Sequence, residues 1–330
     1  MNPNLYIYTN GELKRKDDTL KFIDYSGKAR DIPIERITDI YVMSELDMNT
    51  KLINFLGANG IAVHFFNYYS FYTGSYYPRE RAVSGKLLVK QCEFYTDAEK
   101  RIELAREFVA AASDSMYRNM RYYNGRGKDL QDYMTALTIL AKEIPKAKEI
   151  PELMGVEGNI HKVYYDSWNT IINADIDFRK RVRRPPDNMI NTLISFINSM
   201  IYTRVLSEIY KTQLNPTISY LHEPGERRFS LSLDIAEIFK PLVGDRLIFS
   251  LLNRKQISEK SFTEGLEGLH LKKEASQTII RELDEYLKRT IKHKTLGREV
   301  SYQYLMRLEC YKLIKHLIGE KKYEGFRIWW

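Results

Sequence analysis

Cysteine is nearly absent. Cys92 and Cys310 are the only two in 330 residues, and they form no CxxC pair, which argues against a disulfide scaffold, a zinc finger or an iron–sulfur site. Long apolar runs are missing as well. Nothing approaches the roughly 18 uninterrupted apolar residues of a membrane span, and no basic-then-apolar leader of the secretory type opens the chain. The expectation is a soluble, cytoplasmic protein. Neither a GxxxxGK[ST] loop nor a GxGxxG after a strand is present, which disfavours a nucleotide-dependent enzyme. There is no fixed-period repeat and no low-complexity tract. Hydrophobic residues at 44% and charged ones at 28% exclude wholesale disorder, and the length suits two domains or one large one.

Positive charge is in surplus. Lys plus Arg number 51 against 43 Asp plus Glu, a net charge of +8, as suits a polyanionic partner. The surplus is uneven. Residues 1–80 hold 9 basic and 10 acidic side chains, leaving 42 against 33 in residues 81–330. A nucleic-acid surface is therefore expected after residue 80.

The apolar pattern changes near the same place. Residues 5–9, 20–25, 37–43 and 61–66 are short β-prone runs separated by Asn-Gly and Ser-Gly turns. Thr50 opens an amphipathic helix with Leu52, Ile53, Leu56 and Ala58, ending at Gly57 or Gly60. After Pro78, helical spacing runs through 86–122, 129–143, 152–177, 187–212, 229–240, 242–253, 273–292 and 298–319. Gly125-Arg126-Gly127, Pro145 and Pro185-Pro186 mark breaks, the last before a helix capped by Asp187 or Asn188. The expected fold class is α+β: a small β-rich domain over 1–80, then a larger all-helical domain over 81–330.

Two segments carry candidate chemistry. In Met154-Gly155-Val156-Glu157-Gly158, two glycines bracket a carboxylate within a helical pattern, where each costs roughly 1 kcal/mol relative to alanine. Either something approaches the backbone there, with Glu157 a metal ligand or general base beside it, or the segment is a helix start with a solvated glutamate. In 220–241, His222 precedes the turn Glu223-Pro224-Gly225, and Asp234 and Glu237 follow at i and i+3, about 60° apart on one helix face. Their neighbours Leu231, Leu233, Ile235, Ile238 and Phe239 are apolar, so the face is at least partly buried and its charges need compensation. A divalent cation would compensate them. One histidine with two or three carboxylates suits magnesium or manganese better than structural zinc. The alternative is an exposed acidic pair beside an ordinary loop histidine.

Basic and aromatic clusters complete the inventory. Residues 178–184 place five cations in seven positions; Arg227 and Arg228 lie beside the acidic helix, and Lys240, Arg246 and Arg254 follow. Arginine suits phosphate oxygens, so Arg183, Arg184, Arg227 and Arg228 are the candidate nucleic-acid contacts. Phe65–Tyr77 holds eight aromatics in thirteen positions, which favours a half-buried hairpin or an interface over base stacking. The closing Phe326-Arg327-Ile328-Trp329-Trp330 docks either on the body or on a partner.

Three blocks together, GVEGNIHKVYYDSW (155–168), RRPPDNMINTLISFINSMIY (183–202) and YLHEPGERRFSLSLDIAEIFKP (220–241), resemble the CRISPR-associated integrase and endonuclease family known as Cas one, the catalytic subunit of spacer acquisition. The resemblance runs through most of the chain. It implies that Glu157, His222 and Glu237 ligate a divalent metal, Mg2+ or Mn2+, with Asp234 a supporting catalytic position. Glu237 stands where other members carry Asp. The resemblance further implies a β domain that mediates homodimerisation, a helical metal-dependent catalytic domain, and a heterohexamer with the small partner Cas two. The implied substrates are double-stranded DNA, both prespacer and CRISPR repeat.

The reaction implied is metal-assisted transesterification. A 3′-hydroxyl of a short duplex attacks a phosphodiester at a repeat border, the metal stabilising charge on the entering or leaving oxygen. Water in place of the hydroxyl makes the same site a nuclease. His222 must be neutral to ligate, so activity should fall in acid. Two rivals remain: a structure-selective metal nuclease on branched DNA or RNA, and a non-catalytic nucleic-acid-binding scaffold.

Overall fold

In the computed structural model the described residues are 4–68, 72–78, 83–173, 178, 180–182, 186–226, 229–265 and 268–328. The chain divides into two compact units, Met1–Val83 and Ser84–Trp330, three residues beyond the expected boundary.

In chain order the first unit contains β1 (Leu5–Ile7), β2 (Gly11–Lys16), β3 (Thr19–Asp24), β4 (Ala29–Pro33), β5 (Asp39–Val42), β6 (Leu46–Met48), α1 (Thr50–Asn59), β7 (Ala62–Phe66) and β8 (Tyr72–Tyr76). One sheet has the order β1-β5-β7-β8, parallel except for its last pair; the other runs β4-β3-β2-β6. The crossover from β5 to β7 contains α1. Asn49 caps that helix by accepting from Leu52 N at 3.0 Å, and Gly60, at φ +70°, ends it. Leu52, Phe55 and Leu56 pack with Leu13, Leu20, Ile40, Val42 and Val63 into one core.

Three of these strands, β2, β4 and β6, are absent from the sequence reading. β2 reads GELKRK, and Leu13 is its only large apolar side chain, so charge masks the alternation. The Asn10-Gly11 pair is not a turn. Gly11 lies inside the sheet, where a Cβ would stand 2.3 Å from the Ile23 carbonyl oxygen. The reversal falls instead at Asp17, which takes φ +51°. On the other face of the parallel sheet, the Tyr6 and Tyr41 ring centroids are 5.1 Å apart and those of Tyr41 and His64 4.7 Å apart. Within the aromatic stretch, β7 and β8 form the expected hairpin; residues 69–71 lie outside the described residues.

The second unit is mostly helical: α2 (Gly85–Thr96), α3 (Ala98–Asn124), α4 (Gln131–Ala141), α5 (Ile150–Asp166), α6 (Trp168–Ile171), α7 (Met189–Tyr210), α8 (Ser230–Phe239), α9 (Arg246–Asn253), α10 (Lys273–Lys288) and α11 (Tyr302–Leu317). The run 86–122 is two helices, because Asp97 caps α3 by accepting from Glu99 N and Lys100 N at 3.1 Å each. Asn188, not Asp187, caps α7, accepting from Asn191 N at 2.9 Å. The run 152–177 ends sooner, α6 stopping at Ile171; residues 174–177 lie outside the described residues.

Two hairpins interrupt what was expected to be all helix: β9 (Phe262–Gly265) with β10 (Gly268–Leu271), and β11 (Thr290–Lys292) with β12 (Glu299–Ser301). Left-handed glycines, Gly268 at φ +100° and Gly297 at φ +65°, serve these reversals. The β-branched pair Ile291 and Val300 suits a pleated surface better than a helix.

α7 and α8 are buried nearly all round and form the centre of this unit. Pro241 does not end α8. It removes the N–H that would bond the Glu237 carbonyl, and residues Lys240–Asp245 open into a wider helical turn before α9. Gly244 lets that turn lie against α7, since a Cβ there would stand 2.9 Å from Ile201 Cδ1. Residues 323–328 dock on the body. Tyr323, Phe326 and Ile328 are buried, Gly325 meets Ala111 and Glu107 of α3, and Arg327 Nη2 donates to Glu107 Oε2 at 3.1 Å. Trp329 and Trp330 lie outside the described residues. No helix among the described residues is long and apolar enough to cross a membrane.

Candidate metal centre

Helix α5 starts at Ile150 with Pro151 in its first turn, so Gly155, Glu157 and Gly158 sit mid-helix and not at a helix start. A Cβ at Gly155 or Gly158 would meet nothing within 4 Å. No internal packing requires these glycines, and the helix face beside Glu157 is open. One turn on, at i+4, His161 Nε2 lies 3.0 Å from Glu157 Oε1.

The other half of the centre comes from the 219–226 loop and α8. Asp234 is fully buried, and its carboxylate organises that loop. Oδ2 accepts from Tyr220 N at 2.6 Å and Leu221 N at 3.0 Å, while Oδ1 accepts from His222 N at 3.0 Å. Oδ1 also lies 2.9 Å from His222 Nδ1. A carboxylate only accepts, so the imidazole proton sits on Nδ1 and the Nε2 lone pair is free for a cation. That nitrogen is 3.9 Å from Glu237 Oε1. Asp234 and Glu237, one turn apart as their spacing predicts, thus bracket the two nitrogens of one histidine. From outside, Arg101 holds the loop: Nε donates to the Tyr220 carbonyl at 2.9 Å and Nη2 to Glu223 Oε1 at 2.7 Å.

The two halves converge. Ligand atoms of Glu157, His161 and Glu237 all lie within 4.8 Å of one another, and His161 Nε2 is 3.9 Å from Glu237 Oε2. Lys240 Nζ donates to Glu237 Oε1. Burial opposes the charge on Glu237, but the Lys240 ammonium, followed by His161 and His222, brings its carboxyl down to about 2. His161 is also desolvated, yet its hydrogen bond to Glu157 and the two carboxylate charges outweigh this and raise its pKa above 6.5. Two carboxylates and the His161 nitrogen, with the pre-oriented His222 Nε2 beside Glu237, fit an oxygen-preferring divalent cation with open positions. The second partner on His222 is the usual orienting device of a metal-ligating histidine.

A buried polar network supports this geometry. Asn119 of α3 donates through Nδ2 to the Pro241 carbonyl at 2.8 Å and to Tyr164 Oη at 2.9 Å, and its Oδ1 accepts from Arg246 Nε at 2.6 Å. Tyr164 in turn bonds Asp245, whose carboxyl burial pushes up to about 7. One carboxamide therefore ties α3, α5, the wide turn and α9 together behind Glu237 and Lys240.

Glu237 lies beside His222, which Asp234 holds, and it meets Glu157 through His161; His222 is not among the three residues of that cluster. His161 and Asn119 were not singled out in the sequence. For His161 the signal was its i+4 spacing from Glu157; for Asn119 there was none, since its partners lie 45 and more positions away. Arg183, Arg184, Arg227 and Arg228 lie outside the described residues, as does Arg179. Arg181 is described, and its guanidinium is committed to α7, donating to Ser195 Oγ at 2.9 Å and Asn191 Oδ1 at 3.1 Å.

Comparison with known proteins gives concordant matches. The family model described as CRISPR associated protein Cas1 matches residues 5–285. A CRISPR-associated endonuclease Cas1 from Fusobacterium nucleatum is 61% identical over 330 residues, covering 100% of this chain and 98% of its own. The solved structure of a CAS1 protein from Thermotoga maritima, 42% identical, superposes with a TM-score of 0.85 over 98% of this chain and 100% of its own. A casposase bound to integration product shares the fold, with a TM-score of 0.82 over 97% of this chain and 92% of its own at 20% identity.

Proposed function

The chain belongs to the CRISPR-associated Cas1 family, and on that premise we propose that it is a metal-dependent DNA endonuclease and integrase of CRISPR adaptation. It joins 3′-hydroxyl ends of short DNA duplexes to phosphodiesters at repeat borders. It acts as a homodimer formed through the β-rich unit, assembled with the small partner Cas2 into a heterohexamer. The observation that carries this reading is the cluster of Glu157, His161 and Glu237, whose ligand atoms lie within 4.8 Å of one another, with His222, its ring held by buried Asp234, 3.9 Å from Glu237.

Glu157, Glu237 and His222 would hold Mg2+ or Mn2+ in the cytoplasm, with His161 between the two carboxylates. When bound, the cation supplies Lewis-acid stabilisation of charge on the phosphoryl, entering and leaving oxygens. The protein's own groups do the positioning. Asp234 keeps the His222 proton on Nδ1 and the ring fixed. His161 shares its Nε2 proton with Glu157, and Lys240 places a positive charge beside Glu237. The open glycine face of α5 admits a sugar–phosphate backbone close to Glu157.

A strand-transfer assay tests the reading, using a short 3′-hydroxyl duplex, a supercoiled repeat-bearing plasmid, Mn2+ or EDTA, and Cas2 added or omitted. The expected result is joined product that requires metal and falls about a hundredfold or more in Glu157→Ala, His222→Ala and Glu237→Ala. Cleavage without joining, even with Cas2 present, would favour a structure-selective nuclease. DNA binding with neither reaction would favour a non-catalytic scaffold.

A further inference from the structure

A basic ribbon stands in the second unit outside the metal centre. Residues 288–298 contain Lys288, Arg289, Lys292, His293, Lys294 and Arg298 and no Asp or Glu. They lie beyond the span matched by the family model, which ends at residue 285. In the β11–β12 pair Ile291 faces Val300, which is buried, so strand alternation turns Thr290 and Lys292 to the solvent side. Residues 294–298 at the tip are all exposed.

The ribbon is built rather than loose. His293 N donates to the Arg298 carbonyl and Gly297 N to the His293 carbonyl, both at 2.9 Å. Nδ1 of His293 accepts from Thr295 N at 3.3 Å and Leu296 N at 3.2 Å. Arg289 lies over the Tyr286 ring at 4.6 Å and Arg298 over Tyr304 at 5.6 Å, which preorganises both guanidinium groups. Lys292 and Lys294 make no ion pair with a carboxylate among the described residues, although Glu299 lies opposite Lys292 in register. The buried side of the hairpin is the Ile291–Val300 pair, so the like charges on its exposed side are not part of its packing.

Its base adjoins the metal centre's support. Tyr302 N donates to the Arg289 carbonyl at 3.1 Å, the Tyr302 and Tyr286 rings meet at 5.3 Å, and Tyr286 Oη donates to the Leu242 carbonyl at 3.3 Å. Leu242 belongs to the wide turn that carries Lys240.

We propose that the 288–298 ribbon is a second contact for duplex DNA, gripping the phosphate backbone of the molecule processed at Glu157 and Glu237; this rests on the function proposed above. A two-stranded ribbon matches the width of a B-DNA major groove. The tip, Thr295-Leu296-Gly297, offers no aromatic ring for stacking on unpaired bases, which favours duplex over single strands.

The test is the salt dependence of binding to a fluorescent duplex in EDTA. Wild type is compared with the Lys292→Gln/Lys294→Gln/Arg298→Gln triple variant and with a charge-matched control, Lys28→Gln/Lys51→Gln/Lys321→Gln. At about 0.9 counterions per phosphate contact, the ribbon variant should show a slope shallower by about 2–3 and bind about 10–100-fold more weakly near 0.1 M salt. The control should stay within about twofold of wild type, and all three should unfold at the same urea midpoint. Binding by the ribbon variant equal to wild type would overturn the proposal. So would an equal loss in the control, or a loss confined to single-stranded RNA. If wild type itself binds no duplex DNA, the proposed function fails first; if wild type binds and the ribbon variant binds equally, only the ribbon fails.

Discussion

At the residue scale the centre depends on carboxylates doing different work one turn apart. Asp234 is an organiser, spending its acceptor sites on three backbone N–H groups and the His222 ring. Asp234→Asn puts a donor where only acceptors fit. It should destabilise the fold by about 2–3 kcal/mol in urea titrations and weaken Mn2+ binding about 10–100-fold by calorimetry. Glu237 and Asp245 should show opposite pH signatures in metal-free protein. The Glu237 carboxyl is held near 2, below the roughly 4.3 of an unfolded chain. Its contribution is present above that value and lost as pH falls toward 2, so the deficit of Glu237→Gln should shrink on acidification. Asp245 is raised to about 7, above the roughly 3.9 of an unfolded chain. Ionising it opposes folding increasingly from about pH 4 to 7, so Asp245→Asn should gain on wild type across that window and then level off. Thermal melts in EDTA against pH check both.

At the element scale the glycines separate two roles. Gly158 is mid-helix with open space where a Cβ would go, so Gly158→Ala should stabilise the protein by about 0.5–1 kcal/mol. If DNA approaches that face, the same variant should lose strand transfer; full activity would remove the glycine face from the mechanism. Gly244 is the converse, with Ile201 Cδ1 2.9 Å from a Cβ placed there. Gly244→Ala should destabilise by about 1–3 kcal/mol through overpacking of the wide turn against α7. Urea midpoints of the pair should therefore move in opposite directions.

At the scale of the whole molecule, the chain's end is part of the helical unit. Tyr323 Oη donates to buried Glu309 Oε2 at 2.9 Å, and Tyr323, Phe326 and Ile328 seal one side of α3 and α11. Deleting residues 323–330 should cost about 3–6 kcal/mol, from the loss of three buried side chains. A melting temperature unchanged by the deletion would show that the tail is not structural. The charge surplus after residue 80 belongs to this scale too, and it is what the ribbon variants and their control measure.

The sequence by itself determined the two-part organisation, the capped helix between β5 and β7 and the run of long helices, and it offered Glu157, His222, Asp234 and Glu237 as candidates. Each is written in local spacing: period-2 and helical apolar patterns, glycines around a carboxylate, acids at i and i+3. Charged strands such as β2 were not legible, because a ribbon with one apolar side chain has no visible alternation. The β11–β12 hairpin was hidden because its basic residues extend a helical pattern until Thr290. Only the tertiary structure decided that Asp234 binds backbone while Glu237 faces His161 and Lys240, that Asn119 braces the turn behind them, and that Arg181 is spent on α7. Those roles arise from partners far apart in the chain, and hydrogen bonding between them depends on distances that folding alone sets.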